Sequence, residues 1–436
     1  MPPSDVMARS AENVDVVVET PHTLKNFLAQ NLTREHGYKP TRAMRFCLHV
    51  LTHMRVGQLD VIMPNGATMR FGKPDGQPKA VLRIHNDRAA RRFLTKGHLG
   101  FCEAYLDGDW SSPDIARFFE LILLNGQAIK TLLLGKPWAR AISCILHALQ
   151  PNSKKGSKKN IYRHYDIGND FYEAWLDPSM TYSSALFTDG IEDLQNAQSR
   201  KYQEMVDRLE LKPEHHVLEI GCGWGGFAEY AAKHVGCKVT AITISEAQYK
   251  YATDRVEKEG LADKVEIRMQ DYRDVTGTYD RIASIEMFEA VGEAYWPTFF
   301  DTLKSRLKDG GRAVLQIITI RNEDFEDYRR SADYIQRYIF PGGMLPSMNK
   351  LKEQIAEAGL EQGDHLSFGP DYARTLELWN REFQYAWPKL NGEKMDTRFK
   401  RLWEQYLCYC QAGFATGAID VIQINIDNSS NSRVGA

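Results

Sequence analysis

Residues 216–230 read HVLEIGCGWGGFAEY, an apolar run that closes on a burst of glycines and then resumes with helical spacing. Gly221, Gly223 and Gly226 satisfy G-x-G-x-x-G directly after a strand-like stretch and before a helix-like one, the context that lifts an otherwise weak motif. Glycine permits the tight turn and lets a ligand approach the backbone, and the start of the next helix offers unpaired N–H groups. A nicotinamide or flavin dinucleotide would call for an acid about 20 residues further on, gripping a ribose hydroxyl. That region reads VTAITISEAQ, with Thr243 and Ser245 where the acid would stand and Glu246 just beyond. Upstream, Glu219 lies two residues before the first glycine, where a carboxylate meets a ligand's ammonium group and repels a pyrophosphate. The inferred ligand carries both signs, as the amino-acid end of S-adenosylmethionine does. The competing reading of Glu219 is a strand-end carboxylate paired with a basic neighbour.

Outward from this loop, HVLEIGCG, CKVTAITI, KVEIRMQ, YDRIASIEMF and GRAVLQIIT are strand-like runs separated in several places by helical stretches. That alternation predicts a doubly wound, Rossmann-like α/β sheet over 161–425. After 320 the pattern is helical and aromatic, and DYARTLELWNREFQYAW and RFKRLWEQYLCYCQAGFATG are expected to lie over the sheet as a helical lid. Upstream, residues 22–150 mix strand-like GQLDVIMP and KAVLRIH with a helix that begins at Ser111-Ser112-Pro113-Asp114 and repeats Ile115, Phe118, Phe119 and Ile122 on one face. This predicts a smaller N-terminal α+β domain. Residues 1–21 are expected to be a flexible N-terminus, 151–160 a basic linker and 426–436 a disordered tail. The linker's SKKGSKKN is either a solvated hinge or a cationic patch for anionic lipid headgroups.

A chain of 436 residues has room for two domains. With 55 basic and 57 acidic residues it carries no overall field that would gather nucleic acid. Its seven cysteines show neither a paired framework nor metal-type spacing, so no metal is expected and a reducing cytoplasm fits best. The first residues lack a basic segment followed by an apolar one, against a secretory signal. FFELILLNGQAIKTLLLG is interrupted by Glu120, Asn125, Gln127 and Lys130, short of the roughly 20 apolar residues of a membrane span. An isologous homodimer is a common arrangement for soluble oligomers and stays open.

YRHYDIGNDFYEAWLDPSMTYSSALF (162–187), VLEIGCGWGGFAEY, AITISEAQ, QDYRD, SIEMFEAVG and YIFPGGMLPS resemble, in this order, motifs of the cyclopropane fatty acid synthase family of S-adenosylmethionine methyltransferases. The resemblance runs from about 95, at HLGFCEAYLDGDW, to about 425. It implies a class I methyltransferase sheet behind a smaller N-terminal domain, acting from the cytoplasmic side on unsaturated acyl chains of phospholipid in the membrane surface. It also implies that Tyr182 and Ser183, with Gly221 and Gly223, cradle the cofactor's methionine end. Thr243 and Gln248 would meet the ribose, and Gln270, Asp271 and Tyr272 the adenine. Without the resemblance Thr243 and Gln248 read equally well as turn and helix-cap residues.

An alkene is a weak nucleophile, so it must be held in line with the sulfonium methyl in a dry site. Transfer leaves a carbocation, for which Phe288, Tyr295, Trp296, Trp379, Phe383 and Trp387 offer aromatic faces, although most such rings are core packing. A base then removes one proton: from the added methyl this closes a ring, from a neighbouring carbon it leaves an alkene. The resemblance implies a bicarbonate ion as that base, held by Glu289, by Ile318 through its backbone, and by Tyr372. Ser184 and Gln316 stand where the family commonly has cysteine and histidine. An amide donates a hydrogen bond but neither titrates nor carries positive charge, so Gln316 sets the bicarbonate step, and with it the ring product, apart from the family pattern. Ala290 also replaces a common histidine. Should the anion be absent, Glu289 in an apolar setting is itself a candidate base; its competing role is a carboxylate bonded to backbone amides. His164 is read mainly as structural. The expected product is a cyclopropane, with a methylene- or methyl-branched chain, small-molecule N- or O-methylation and a non-catalytic cofactor-binding scaffold as alternatives.

Overall fold

The computed structural model describes residues 15–29, 38–126, 128–129, 167–188, 190, 193–330, 333–390 and 395–429. The expected basic linker and His164 lie outside the described residues. The chain divides into two units that interleave in sequence: Met1–Leu146, Ala332–Tyr334 and Asn391–Thr416 form one, and His147–Ser331, Ile335–Leu390 and Gly417–Ala436 the other.

The second unit is built on a seven-stranded sheet. Its parallel part comprises β6 (His216–Ile220), β7 (Lys238–Thr243), β8 (Val265–Met269), β9 (Tyr279–Ile285) and β10 (Leu307–Ile320), each within or overlapping a stretch expected to be a strand. Two further strands, β11 (Glu361–Ser367) and β12 (Ile419–Asp427), complete the order β11-β12-β10-β9-β6-β7-β8. β12 runs antiparallel to both β10 and β11. Sequence periodicity missed these two, and β12 occupies the start of the expected disordered tail. Asn428 just beyond it is buried and donates to the carbonyls of Leu307 and Lys308.

Period-2 alternation sends neighbouring strand residues to opposite faces. Leu218, Ile282, Leu315 and Ile317 pack on one side with Phe288, Trp296, Phe299 and Leu351. Val217, Ala283 and Val314 pack on the other with Met205, Phe227 and Ala231. Helices therefore cover both faces: Trp296–Arg306 and Met348–Glu357 on the first, Leu194–Leu209 and Gly226–His234 on the second. The chain turns back at β6, which has β7 on one side and β9 on the other, so a crevice opens beyond the carboxyl ends of these strands.

In the first unit β1 (Val16–Val18), β2 (Gln58–Ile62), β3 (Thr68–Gly72), β4 (Lys79–Ile84) and β5 (Trp110–Ser111) form a sheet in the order β1-β3-β2-β4-β5. The expected flexible N-terminus is corrected at its end, because Val16–Val18 pair in parallel with Met69–Phe71 and Val18 is buried. The helix Ile115–Leu124 starts as expected: the Asp114 carboxylate accepts from Arg117 N–H at 2.9 Å, and Ile115, Phe118 and Phe119 are buried. The helix Thr397–Ala415, expected in the lid, belongs to this unit, where it packs on Ile115–Leu124 and Arg88–Leu106. Its Glu404 accepts from the Tyr105 hydroxyl at 2.8 Å. An amphipathic helix reveals that it has an apolar face without revealing its partner.

Candidate active site

The glycine loop leaves β6 with Gly221 at φ +83° and Gly223 at φ +53°, conformations that L side chains rarely adopt. The N–H groups of Gly221 and Cys222 both donate to the Ile242 carbonyl at 3.0 Å, pinning the loop to β7. A Cβ on Gly221 would fall 2.6 Å from Met287 Cγ, whereas nothing lies within 4 Å of one on Gly223. The loop thus packs on the protein at its first glycine and faces open space at its second. Glu219, at the end of β6, is buried and its Oε2 has no hydrogen-bond partner. Loss of hydration pushes its carboxyl up to about 8, against the opposing pull of Lys201, the Ala228 N–H and Arg255. An orphaned buried carboxylate oxygen beside a glycine cradle fits the ammonium end of S-adenosylmethionine.

Further along the crevice the polar residues are committed to one another. Thr243 Oγ1 donates to Gln248 Oε1 at 2.9 Å, and Ser245 caps the helix Glu246–Lys258 by accepting from Gln248 N–H. Gln270 N–H donates to the Thr243 carbonyl at 2.9 Å, and its side-chain amide to the Asp274 carbonyl at 2.8 Å. Asp271 accepts from the Arg273 guanidinium at 2.8 and 2.6 Å and from its backbone N–H at 3.0 Å. Tyr272 keeps a buried hydroxyl without a partner. The structure therefore brings these five together at the ends of β7 and β8, the first four hydrogen-bonded within the chain.

The groups assigned by resemblance to an anion converge on a side chain that the sequence reading passed over. Glu286, in the turn after β9, has φ +49°. Its Oε1 accepts from Ser184 N–H and from the Gln316 amide, both at 2.8 Å, and its Oε2 accepts from the Tyr372 hydroxyl at 2.6 Å. Gln316 lies in register between Ile285 of β9 and Gln423 of β12. Gln423 donates to Gln316 Oε1 at 3.0 Å, which fixes the amide with its NH2 toward Glu286. The remaining donor, Ile318 N–H, meets Glu289 Oε1 at 2.5 Å, and Glu289 Oε2 is buried without a partner. These donors are spent on carboxylates of the chain itself, so the site does not fit a bicarbonate ion held by the same set.

The two glutamates differ in environment. Desolvation raises both, and it carries Glu289 up to about 8 with help from the like charge of Glu286. At Glu286 the rise is opposed by Tyr372, Ser184, Gln316 and the positive charge of Lys201. Neighbouring carboxylates do not ionise together cheaply, and the one with more hydrogen-bond donors is the better placed to carry the charge. Glu286 has three such donors, against Ile318 N–H on Glu289. Ser183 Oγ accepts from the Lys201 ammonium at 2.7 Å, and its carbonyl from the Gln198 amide at 2.9 Å. Of the expected aromatics, Phe288 and Trp296 are core, whereas Trp379 is buried 5.3 Å from the Tyr182 ring and 6.1 Å from that of Tyr372, between centroids. The missed signal was the EMFE tetrapeptide itself, two acids three residues apart at a strand end.

A sheet of this order, with its glycine loop after β6, the middle strand of its parallel part, defines a class I S-adenosylmethionine-dependent methyltransferase. The chain belongs to the mycolic acid cyclopropane synthetase family, whose model matches residues 152–424, and is thus a C-methyltransferase. It is 38% identical to the tuberculostearic acid methyltransferase UfaA1 of Mycobacterium tuberculosis, over 78% of this chain and 82% of that one. It is 37% identical to the cyclopropane-fatty-acyl-phospholipid synthase of Escherichia coli K12, over 80% of this chain and 88% of that one. The solved structure of the cyclopropane synthase MmaA2 from M. tuberculosis superposes with a TM-score of 0.58 at 28% identity, covering 64% of this chain and 99% of that one.

Proposed function

We propose that the protein transfers the methyl group of S-adenosylmethionine to the double bond of an unsaturated fatty acyl chain of a membrane phospholipid, with the Glu286 carboxylate as the base that completes the reaction. The observation that carries this reading is the convergence of Ser184 N–H, the Gln316 amide and the Tyr372 hydroxyl on Glu286. The names of the relatives at 38% and 37% identity support an acyl substrate. No described helix is long and apolar enough to cross a membrane.

The cofactor supplies an electron-poor methyl group. Glu219, Gly221, Gly223, Tyr182 and Ser183 hold its amino-acid end, Thr243 and Gln248 line the ribose, and Gln270, Asp271 and Tyr272 line the adenine. The alkene's π pair forms the new bond to the methyl carbon, which leaves positive charge on the second alkene carbon. Trp379 and Tyr182 offer ring faces to that charge. Glu286 then takes a proton from the added methyl, and the freed C–H pair closes the cyclopropane. One CH2 is gained and one proton is released. Glu289, held neutral, leaves Glu286 as the charged member of the pair.

A second reading keeps the first step and ends in a methylene- or methyl-branched chain; the relative named as a tuberculostearic acid methyltransferase favours it. Incubation with deuteromethyl cofactor and vesicles of dioleoyl phosphatidylglycerol separates the outcomes. Two retained deuterons in a product that resists hydrogenation mean a ring, and two in a product that hydrogenates mean a methylene. Three mean that a chain proton was lost. Absence of any deuterated lipid would refute the acyl substrate.

A further inference from the structure

Lys201 lies in the middle of the helix Leu194–Leu209 and is the one buried lysine or arginine among the described residues. An ammonium taken out of water is costly unless its surroundings repay it. Burial pulls Lys201 down to about 7, and the groups opposing that fall are Glu286, Asp177 and Glu219. Glu219 belongs to the cofactor end of the site, and Glu286 is the proposed base. Lys201 is therefore the one buried cation that acts on both.

Its connections are directional. The Lys201 ammonium donates to Ser183 Oγ at 2.7 Å, and Ser183 is followed by Ser184, whose N–H meets Glu286 at 2.8 Å. From the other side the Lys201 carbonyl accepts from the Gln423 amide at 3.3 Å, and that same amide orients Gln316 toward Glu286. One of the three donors on the base is thus tied to the Lys201 side chain, and a second to its backbone carbonyl. The aromatic face of Tyr202, 4.3 Å from the ammonium, completes the surroundings.

We propose that Lys201 is a positioning residue of the methyl transfer: its ammonium holds Ser183, and through Ser183 it holds the Ser184 N–H on Glu286. The inference rests on the reading of Glu286 as the base. The titratable groups facing Glu286 are Lys201, Tyr372 and Glu289, and only Lys201 favours its charged form by a full positive charge.

The test uses the full chain with dioleoyl phosphatidylglycerol vesicles and follows kcat/KM against pH for the wild type, Lys201→Met, Ser183→Ala and Glu286→Gln. Replacing a buried lysine by methionine keeps the volume but leaves the buried Glu286 without its counter-charge, so the melting temperature should fall. Loss of the charge should move the acidic limb of the profile upward by about one pH unit, a roughly tenfold drop in rate below the limb. Ser183→Ala should move the limb the same way by less, and it carries the test if Lys201→Met does not fold. An unshifted limb in the variants that fold, with Glu286→Gln inactive, overturns the role of Lys201. An active Glu286→Gln instead removes the base reading on which the role depends, and overturns both.

Discussion

The Tyr372 hydroxyl donates to Glu286 Oε2 across 2.6 Å, tying the helix Gly369–Ala386 to the turn that follows β9. A hydrogen bond to a charged acceptor contributes about 1.5–3 kcal/mol. Tyr372→Phe should therefore lower kcat/KM roughly 10- to 100-fold, leave cofactor affinity unchanged and shift the acidic limb of the rate profile upward. Steady-state kinetics and equilibrium binding of S-adenosylhomocysteine check this, and an unaltered pH profile would detach Tyr372 from the proton-accepting step.

The two central glycines should fail differently. Gly221→Ala places a Cβ against Met287 and forces a positive φ on alanine, so it should lower the melting temperature and abolish cofactor binding. Gly223→Ala meets no protein atom. It should fold with a loss of only about 1 kcal/mol from its backbone conformation, yet bind cofactor much more weakly because the methyl intrudes on ligand space. Equal cofactor affinity in Gly223→Ala and the wild type would place the ligand elsewhere.

The proposed pairing of Glu219 with the cofactor's ammonium would make cofactor binding a proton-linked event. Its carboxyl stands at about 8 in the folded chain, above the ordinary 4.5, so the native state holds the extra proton between these values. Stability should fall as pH rises through that window, with Glu289 adding to the slope. Lys201, pulled down to about 7, acts in the opposite sense, and its contribution rises from about pH 7 toward 10.5. Pairing with the cofactor's ammonium favours the carboxylate, so binding at pH 7 should release up to one proton. Calorimetry in two buffers of different ionisation enthalpy measures this release, and Glu219→Gln should lose it. Identical heats for the wild type in both buffers would rule the pairing out.

Much of this was legible in the chain. The strands β6 to β10 announce themselves by apolar residues grouped between turn residues, in β8 alternating with Glu266 and Arg268, and the loop between β6 and its helix needs glycine at positive φ. β12 was harder, since IDVIQINID breaks its apolar run with Gln423 and Asn425, whose amides are used for contacts at Gln316, Lys201 and Asp364. The family resemblance groups Glu289, Ile318, Tyr372, Ser184 and Gln316 around an anion; Ser184, Gln316 and Tyr372 bond to Glu286 instead, and Ile318 to Glu289. Glu286 was missed because its role comes from where three distant segments converge on it, a relation that has no local pattern. The helix Thr397–Ala415 was assigned to the wrong unit for a similar reason: its apolar face fixes that it packs, while tertiary structure fixes on what.

If the family's anion has been replaced by a side chain, removing that side chain should reopen its place. Glycine suits residue 286, whose φ is +49°, so Glu286→Gly should fold and leave Ser184 N–H, Gln316 and Tyr372 facing a gap the size of a small carboxylate. The most direct measurement is lipid methylation by the wild type and Glu286→Gly in buffer stripped of carbon dioxide and then titrated with bicarbonate or formate. The account predicts a wild-type rate indifferent to bicarbonate, and a variant near zero that recovers as the anion is added. A wild type that stops when bicarbonate is stripped, or a Glu286→Gly enzyme as fast as its parent without any added anion, would contradict it.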